Sequence, residues 1–122
     1  MDVKNKRVVV TGAASGIGKA LCEAFHQAEA KTVIAVDMNL EGAQDTADSV
    51  NGIAVQANVG NEEEIINVIQ KADEHAGGTD IFCSNAGIGG VPGFFEVGAS
   101  DWQNIWDVNV QSHIFAAKHV LP

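Results

Sequence analysis

Val8-Val9-Val10-Thr11-Gly12-Ala13-Ala14-Ser15-Gly16-Ile17-Gly18 compresses a strand, a tight turn and the first turn of a helix into eleven residues. Three successive valines read as a buried strand. Gly12, Gly16 and Gly18 follow at the spacing G-x-x-x-G-x-G, and an apolar helical pattern starts at Ile17. A corner without side chains lets the backbone approach a diphosphate and lets the helix pack close to the strand. The free NH groups and positive dipole end of that helix then face the anion.

A glycine-rich loop alone is a weak signal, and its context strengthens it. Asp37 ends the apolar run Thr32-Val33-Ile34-Ala35-Val36 and lies 19 residues beyond Gly18. In a βαβ unit an acid at about 20 residues reaches the ribose hydroxyls of adenosine. Its carboxylate accepts hydrogen bonds from both hydroxyls and repels a 2'-phosphate, which favours NAD over NADP. Met38 follows the acid and Ala13, Ala14 and Ser15 fill the loop, so no Arg or Lys is placed to hold an extra phosphate. The plainer alternative, a strand cap at Asp37 and glycines that only turn the chain, needs strand, loop, helix and acid to fall into register by coincidence.

With 122 residues the chain is one domain's worth, and residues 1–122 are expected to form a single dinucleotide-binding unit. Its apolar residues are evenly spread, with no run long enough for a bilayer and no charged-then-apolar leader, so a soluble, cytoplasmic protein is expected. Seven Lys and Arg against 16 Asp and Glu give a net charge of −9, a sign that opposes nucleic acid and anionic membranes as partners. Any bound anion must be held by local backbone dipoles. Cys22 and Cys83 are isolated among apolar neighbours, as expected of buried thiols in a reducing compartment. The chain contains no tyrosine.

Further along, Ile17, Ala20, Leu21, Ala24, Phe25 and Ala28 recur at helical spacing and predict the face that covers the first strand. Asn39 is the expected N-cap of a helix from Leu40 to about Val50, and Ile53 to Ala57 reads as a third strand. Asn61 with Glu64 predicts a capping box, followed by a helix whose inner side carries Ile65, Ile69, Ala72 and Ala76. Gly77-Gly78 ends it, and Ile81-Phe82-Cys83 forms a fourth strand. Ser84-Asn85-Ala86-Gly87 then falls where that strand's carboxyl end opens, the side on which parallel sheets bind cofactors. The loop from Ile88 to Gly98, with Gly89, Gly90, Pro92 and Gly93, shows no periodicity. Ser100 with Gln103 predicts a second capping box, opening one helix that runs through Asn109 to Val120. Continuous apolar strands predict an α/β fold, a doubly wound parallel sheet of about four strands in the order 3-2-1-4 with helices on both faces.

Taken together, Thr11-Gly12-Ala13-Ala14-Ser15-Gly16-Ile17-Gly18, Asp37, Asn85-Ala86-Gly87 and Asn109 resemble the short-chain dehydrogenase/reductase family. The likeness covers the whole chain but only the N-terminal, cofactor-binding half of a family member. It implies that Gly12, Ser15, Gly16, Ile17 and Gly18 meet the diphosphate and adenosine side, and that Asp37 holds the adenine ribose. Asn58 and Val59 stand where the family usually has Asp-Val beside the adenine ring; an amide oxygen can still accept from the adenine amino group. Asn85, Ala86 and Gly87 would lie along the cofactor, with Ser84 replacing the asparagine that commonly precedes them. Asn109 matches the catalytic asparagine that helps hold a water in the proton relay, and a structural hydrogen bond is an equal alternative for it.

The family's reaction is hydride transfer between NAD(H) and an alcohol or ketone, and it needs a proton donor or acceptor within reach of the substrate oxygen. In the family this is a tyrosine with a lysine four residues later, both beyond the asparagine. The chain alone is therefore expected to be inactive. His113, one helical turn beyond Asn109, is a poor substitute because nothing in the sequence orients it; His26, His75 and His119 are scattered without metal-ligand spacing. If the fourth strand is an open edge, Trp102, Trp106 and Phe115 lose cover, and a homo-oligomer is expected. The alternative is a non-catalytic dinucleotide-binding or dimerising module; a methyltransferase on a similar sheet would leave the Asn85-Ala86-Gly87 and Asn109 positions as coincidence.

Overall fold

The computed structural model describes residues 1–90 and 93–121; Pro92 of the glycine-rich loop and Pro122 lie outside the described residues. Four parallel strands alternate with helices: β1 (Arg7–Thr11), α1 (Gly16–Gln27), β2 (Thr32–Asp37), α2 (Leu40–Ser49), β3 (Ile53–Gln56), α3 (Glu62–Ala76) and β4 (Ile81–Cys83). The sheet order is β3-β2-β1-β4, as the pattern of apolar strands predicts. Val8 pairs with Val33 on one side and with Ile81 on the other, and Ile34 pairs with Ile53.

Alternate strand residues face opposite ways, which divides the interior in two. Val8, Val10, Val33 and Ala35 pack with Cys22, Ala47 and Val50 under α1 and α2. Val9, Ile34, Val36 and Val55 pack with Val68 and Ala72 under α3. With both faces covered, the strands are apolar throughout, the reason their sequence shows no alternation. Burial raises the Cys22 thiol to about 11 and pushes that of Cys83 upward, so both are protonated near neutrality.

The inner face of α1 differs from the expected one. Gly18 and Cys22 are buried, with Leu21 and Phe25 beside them, whereas Ile17, Ala20, Ala24 and Ala28 are exposed. The cause is the contact at the corner: a Cβ on Gly18 would overlap the carbonyl of Gly12, so the helix is pressed in at its smallest residue. On α3, Asn61 Oδ1 accepts from Glu64 N at 3.2 Å, but the Glu64 carboxylate accepts from Asn58 N at 3.1 Å instead of closing the box.

The last helix is also not what the spacing predicts. Gly98, not Ser100, is the N-cap, and Asp101 Oδ2 accepts from its NH at 2.9 Å. An aspartate three residues on closes this turn, so Ser100 lies inside α4 (Ala99–Trp106). A π-helical turn, Asp107–Gln111, then separates α4 from α5 (Ser112–Val120). Val108 and Phe115 pack with Val59 and Ile65, while Trp102 and Trp106 are about half exposed. Lys118 Nζ donates to Glu62 Oε1 at 2.8 Å, and His119 Nε2 meets the same oxygen, which ties the end of α5 to the start of α3.

Across the opposite end of the sheet, Asp80 accepts from both the backbone NH and Nε of Arg7 at 2.8 Å, and Arg7 also reaches the Gly77 carbonyl. The guanidinium holds the Asp80 carboxyl far below the usual carboxylate range. A carboxyl whose folded pKa is depressed stabilises the fold above its unfolded value and loses that contribution as pH falls. Thermal midpoints should therefore decline as pH drops below about 4, and Asp80→Asn should lower the midpoint at pH 7 while flattening that slope. Gly18→Ala should cost at least about 3 kcal/mol in denaturant unfolding, because the atom it meets is backbone.

Candidate dinucleotide site

The carboxyl ends of the four strands open onto a cavity of about 440 Å³. Gly12, Ser15, Ile17 and Gly18 line it from the first corner, Asp37 and Met38 from the end of β2, Ala57, Asn58 and Val59 from the end of β3, and Asn85, Ala86, Gly87 and Ile88 from the end of β4. Ten of the residues singled out in the sequence thus share one wall. Gly16, in the left-handed region at φ +56, starts α1 without lining the cavity, and neither does Asn109.

Each side chain has a physical reason for its place. Gly12, at φ +71, brings its Cα so close to the β4 loop that a Cβ would lie 2.9 Å from the Ala86 Cα. Ser15 is the N-cap of α1, but its hydroxyl makes no capping bond, which leaves the NH groups of the first turn open toward the cavity. The Asp37 carboxylate is held from two sides: Oδ2 accepts from Ala14 N and Oδ1 from Asn39 N, each at 3.0 Å. Those bonds link the acid to the glycine corner and fix its direction.

Thr11 carries more of the site than its place in the sequence motif reveals. Its Oγ1 accepts from the NH groups of Asn85 at 2.9 Å and Ala86 at 3.1 Å, and donates to the Cys83 carbonyl at 3.3 Å. Asn85 Nδ2 returns a bond to the Thr11 carbonyl at 3.1 Å. A buried hydroxyl at the end of an apolar strand was the signal for it; a valine there would satisfy the strand equally well.

Asn109 sits within the π turn and grips one residue of the β4 loop. Its Oδ1 accepts from Ile88 N at 2.8 Å and its Nδ2 donates to Ile88 O at 2.9 Å. The amide therefore does make the structural bond considered for it, to the loop and not to the sheet. His113 is oriented after all, by a 2.6 Å hydrogen bond between Nδ1 and Ser84 Oγ. That pair faces a second cavity, about 310 Å³, beside Asp80 and Phe82 on the far side of β4, apart from the first. Among the described residues no group of His, Cys, Asp and Glu could hold a metal ion, and no helix is long and apolar enough to cross a membrane.

Comparison with known proteins agrees with this geometry. Glucose 1-dehydrogenase 2 of Bacillus subtilis is 35% identical over 98% of this chain and 49% of its own length. A short chain dehydrogenase of Claviceps purpurea is 30% identical over 93% of this chain and 45% of its own. Among solved structures, a short-chain dehydrogenase/reductase (glucose/ribitol dehydrogenase) from Brucella melitensis superposes with a TM-score of 0.91 at 28% identity, over 100% of this chain and 53% of that one. A short-chain dehydrogenase/reductase from Burkholderia phymatum, solved in complex with NAD, gives 0.93 at 25% identity, over 100% of this chain and 45% of that one. The chain thus spans about half the length of the relatives it matches. Since the family model described as short chain dehydrogenase matches residues 6–122, on a sheet of the expected order with the glycine corner in place, the chain belongs to the short-chain dehydrogenase family.

Proposed function

We propose that this chain is the NAD-binding part of an oxidoreductase that acts on a small alcohol or ketone. The observation that carries the reading is the Asp37 carboxylate, fixed at the cavity wall by the NH groups of Ala14 and Asn39. On this reading the open NH groups at the start of α1, with Gly12, Ser15, Gly16, Ile17 and Gly18 around them, hold the pyrophosphate. Asp37 accepts from the ribose hydroxyls and repels a phosphate on the 2' oxygen; Met38 beside it offers no cation to offset that repulsion. Asn58 and Val59 meet the adenine, and Asn85 to Gly87 run along the nicotinamide half.

When bound, the nicotinamide supplies or accepts a hydride at the substrate carbon. The protein's share is to place that ring and to exclude water around it. Thr11 fixes the Asn85-Ala86 backbone, and Asn109 fixes Ile88, so the first residues after β4 are held from two sides. Asn109's place in a proton relay rests on the family resemblance; its side-chain geometry supports the role of a clamp. The 122 residues hold no tyrosine, and on this reading they bind the dinucleotide without turnover.

Titration of the chain with NADH and NADPH, followed by nicotinamide fluorescence, tests the proposal. NADH should bind, with NADPH at least about tenfold weaker; a preference for NADPH, or no binding of either, overturns it. Asp37→Ala should narrow the gap between the two mainly by weakening NADH. In the same titration Thr11→Val should weaken NADH by about tenfold and lower the thermal midpoint, since two backbone NH groups lose their acceptor.

A further inference from the structure

One helical stretch meets the segment after β4 at two points. Asn109 grips Ile88 through two hydrogen bonds, and His113, four residues on, meets Ser84 Oγ through Nδ1 at 2.6 Å. Helix and segment run in opposite directions, so 109 with 88 and 113 with 84 form two rungs of equal spacing. Asn85, Ala86 and Gly87, which line the dinucleotide cavity, lie between the rungs.

The helix is built to hold that position. Its π turn is wound wider than an α-helix, with the Ser112 NH reaching back to the Asp107 carbonyl, and such turns are rare and concentrate at functional sites. Val108 and Ser112 are buried, and the residues that follow each of them, Asn109 and His113, form the two rungs. The approach is close: a Cβ on Gly87 would lie 3.3 Å from Asn109 Oδ1. At its far end the same helix is tied to α3 through Lys118 and His119 on Glu62. Thr11 fixes Asn85 and Ala86 from the β1 side, and His113 fixes Ser84, the residue before them, from the helix side.

Resting on the dinucleotide reading above, we infer that His113 is a positioning residue for the nicotinamide half of the cofactor: through Ser84 it fixes the start of the Asn85 to Gly87 wall, as Asn109 fixes the residue beyond its end. The ring acts from behind, since it lines the second cavity with Phe82 and Ala116 and takes no part in the first. It moves no proton in this role. Neutral Nδ1 can accept from the Ser84 hydroxyl, and protonated Nδ1 can donate to it, so the rung holds in either direction. The glycine corner and Asp37 have bonds of their own, through Ala14 and Asn39, and the adenosine side therefore keeps its shape when the rung is lost.

The test titrates the wild type, His113→Phe, Ser84→Ala and His113→Asn with NADH, read by nicotinamide fluorescence, and with ADP-ribose, read by calorimetry, with thermal midpoints measured alongside. His113→Phe and Ser84→Ala each remove the rung and should weaken NADH about fivefold. Combining the two should add nothing further, because both act through one bond. ADP-ribose, which lacks the nicotinamide, should stay within about twofold of its wild-type affinity in every variant. His113→Asn returns a polar atom close to the place of Nδ1 and should recover most of the lost NADH affinity. Ser84→Ala removes a single oxygen and reports on the rung even where the Phe variant fails to fold. NADH binding that Ser84→Ala leaves unmoved, ADP-ribose weakened in step with NADH, or no recovery in His113→Asn overturns the inference and leaves the dinucleotide reading intact. Failure of the wild type to bind NADH overturns the two together.

Discussion

The close approach of two backbones at Gly12 and Gly18 is the constraint on which the rest of this structure depends. No Cβ stands between the end of β1 and the first turn of α1, so the helix axis points its unbonded NH groups at the space beyond the strand. Everything else at that end is built around the gap. Ala14, in the same corner, orients Asp37, and Thr11, one residue before it, anchors the loop from the neighbouring strand. A Cβ on Gly18 would displace the helix, and one on Gly12 the loop after β4.

That arrangement also resolves an electrostatic tension. The chain carries a net charge of −9, and its field at long range repels a dinucleotide. On the proposed reading, backbone dipoles act at short range in a partly enclosed cavity and outweigh a diffuse field that salt screens beyond about 10 Å. On the proposed reading Asp37 applies the same logic at one atom, favouring hydroxyls and opposing phosphate.

Most of the architecture was legible because it rests on local patterns. Apolar strands, Asn39 and Asn61 as caps and the Gly77 stop all lie within a few residues of what they control. The inner face of α1 was misread because apolar periodicity ranks Ile17 and Ala20 above Gly18, although the smallest residue is the one pressed against the sheet. Ser100 lost the cap to Gly98 because the aspartate three residues on decides which turn closes. The π turn has no local signature at all; it is set by packing at Val108 and by the grip of Asn109 on Ile88. Ten of the residues around the cavity could be named beforehand, from the glycine spacing, the acid that follows it and the family resemblance. Their hydrogen-bond partners could not, since Thr11 to Asn85 and Ser84 to His113 join positions that only the sheet order brings together.

The strand order has a further consequence, in time. β1 finds β2 and β3 early in the chain, but Thr11 and Asn85 are separated by 74 residues. A nascent polypeptide leaving the ribosome can assemble the β1-β2-β3 wing long before β4 is synthesised, and loop closure over that span is the slower event. Until then the cavity at the strand ends lacks one bank. The emerging protein is thus biased to gain its glycine corner and Asp37 first and the Asn85–Ile88 wall last, an order of maturation written into the permutation of the sheet.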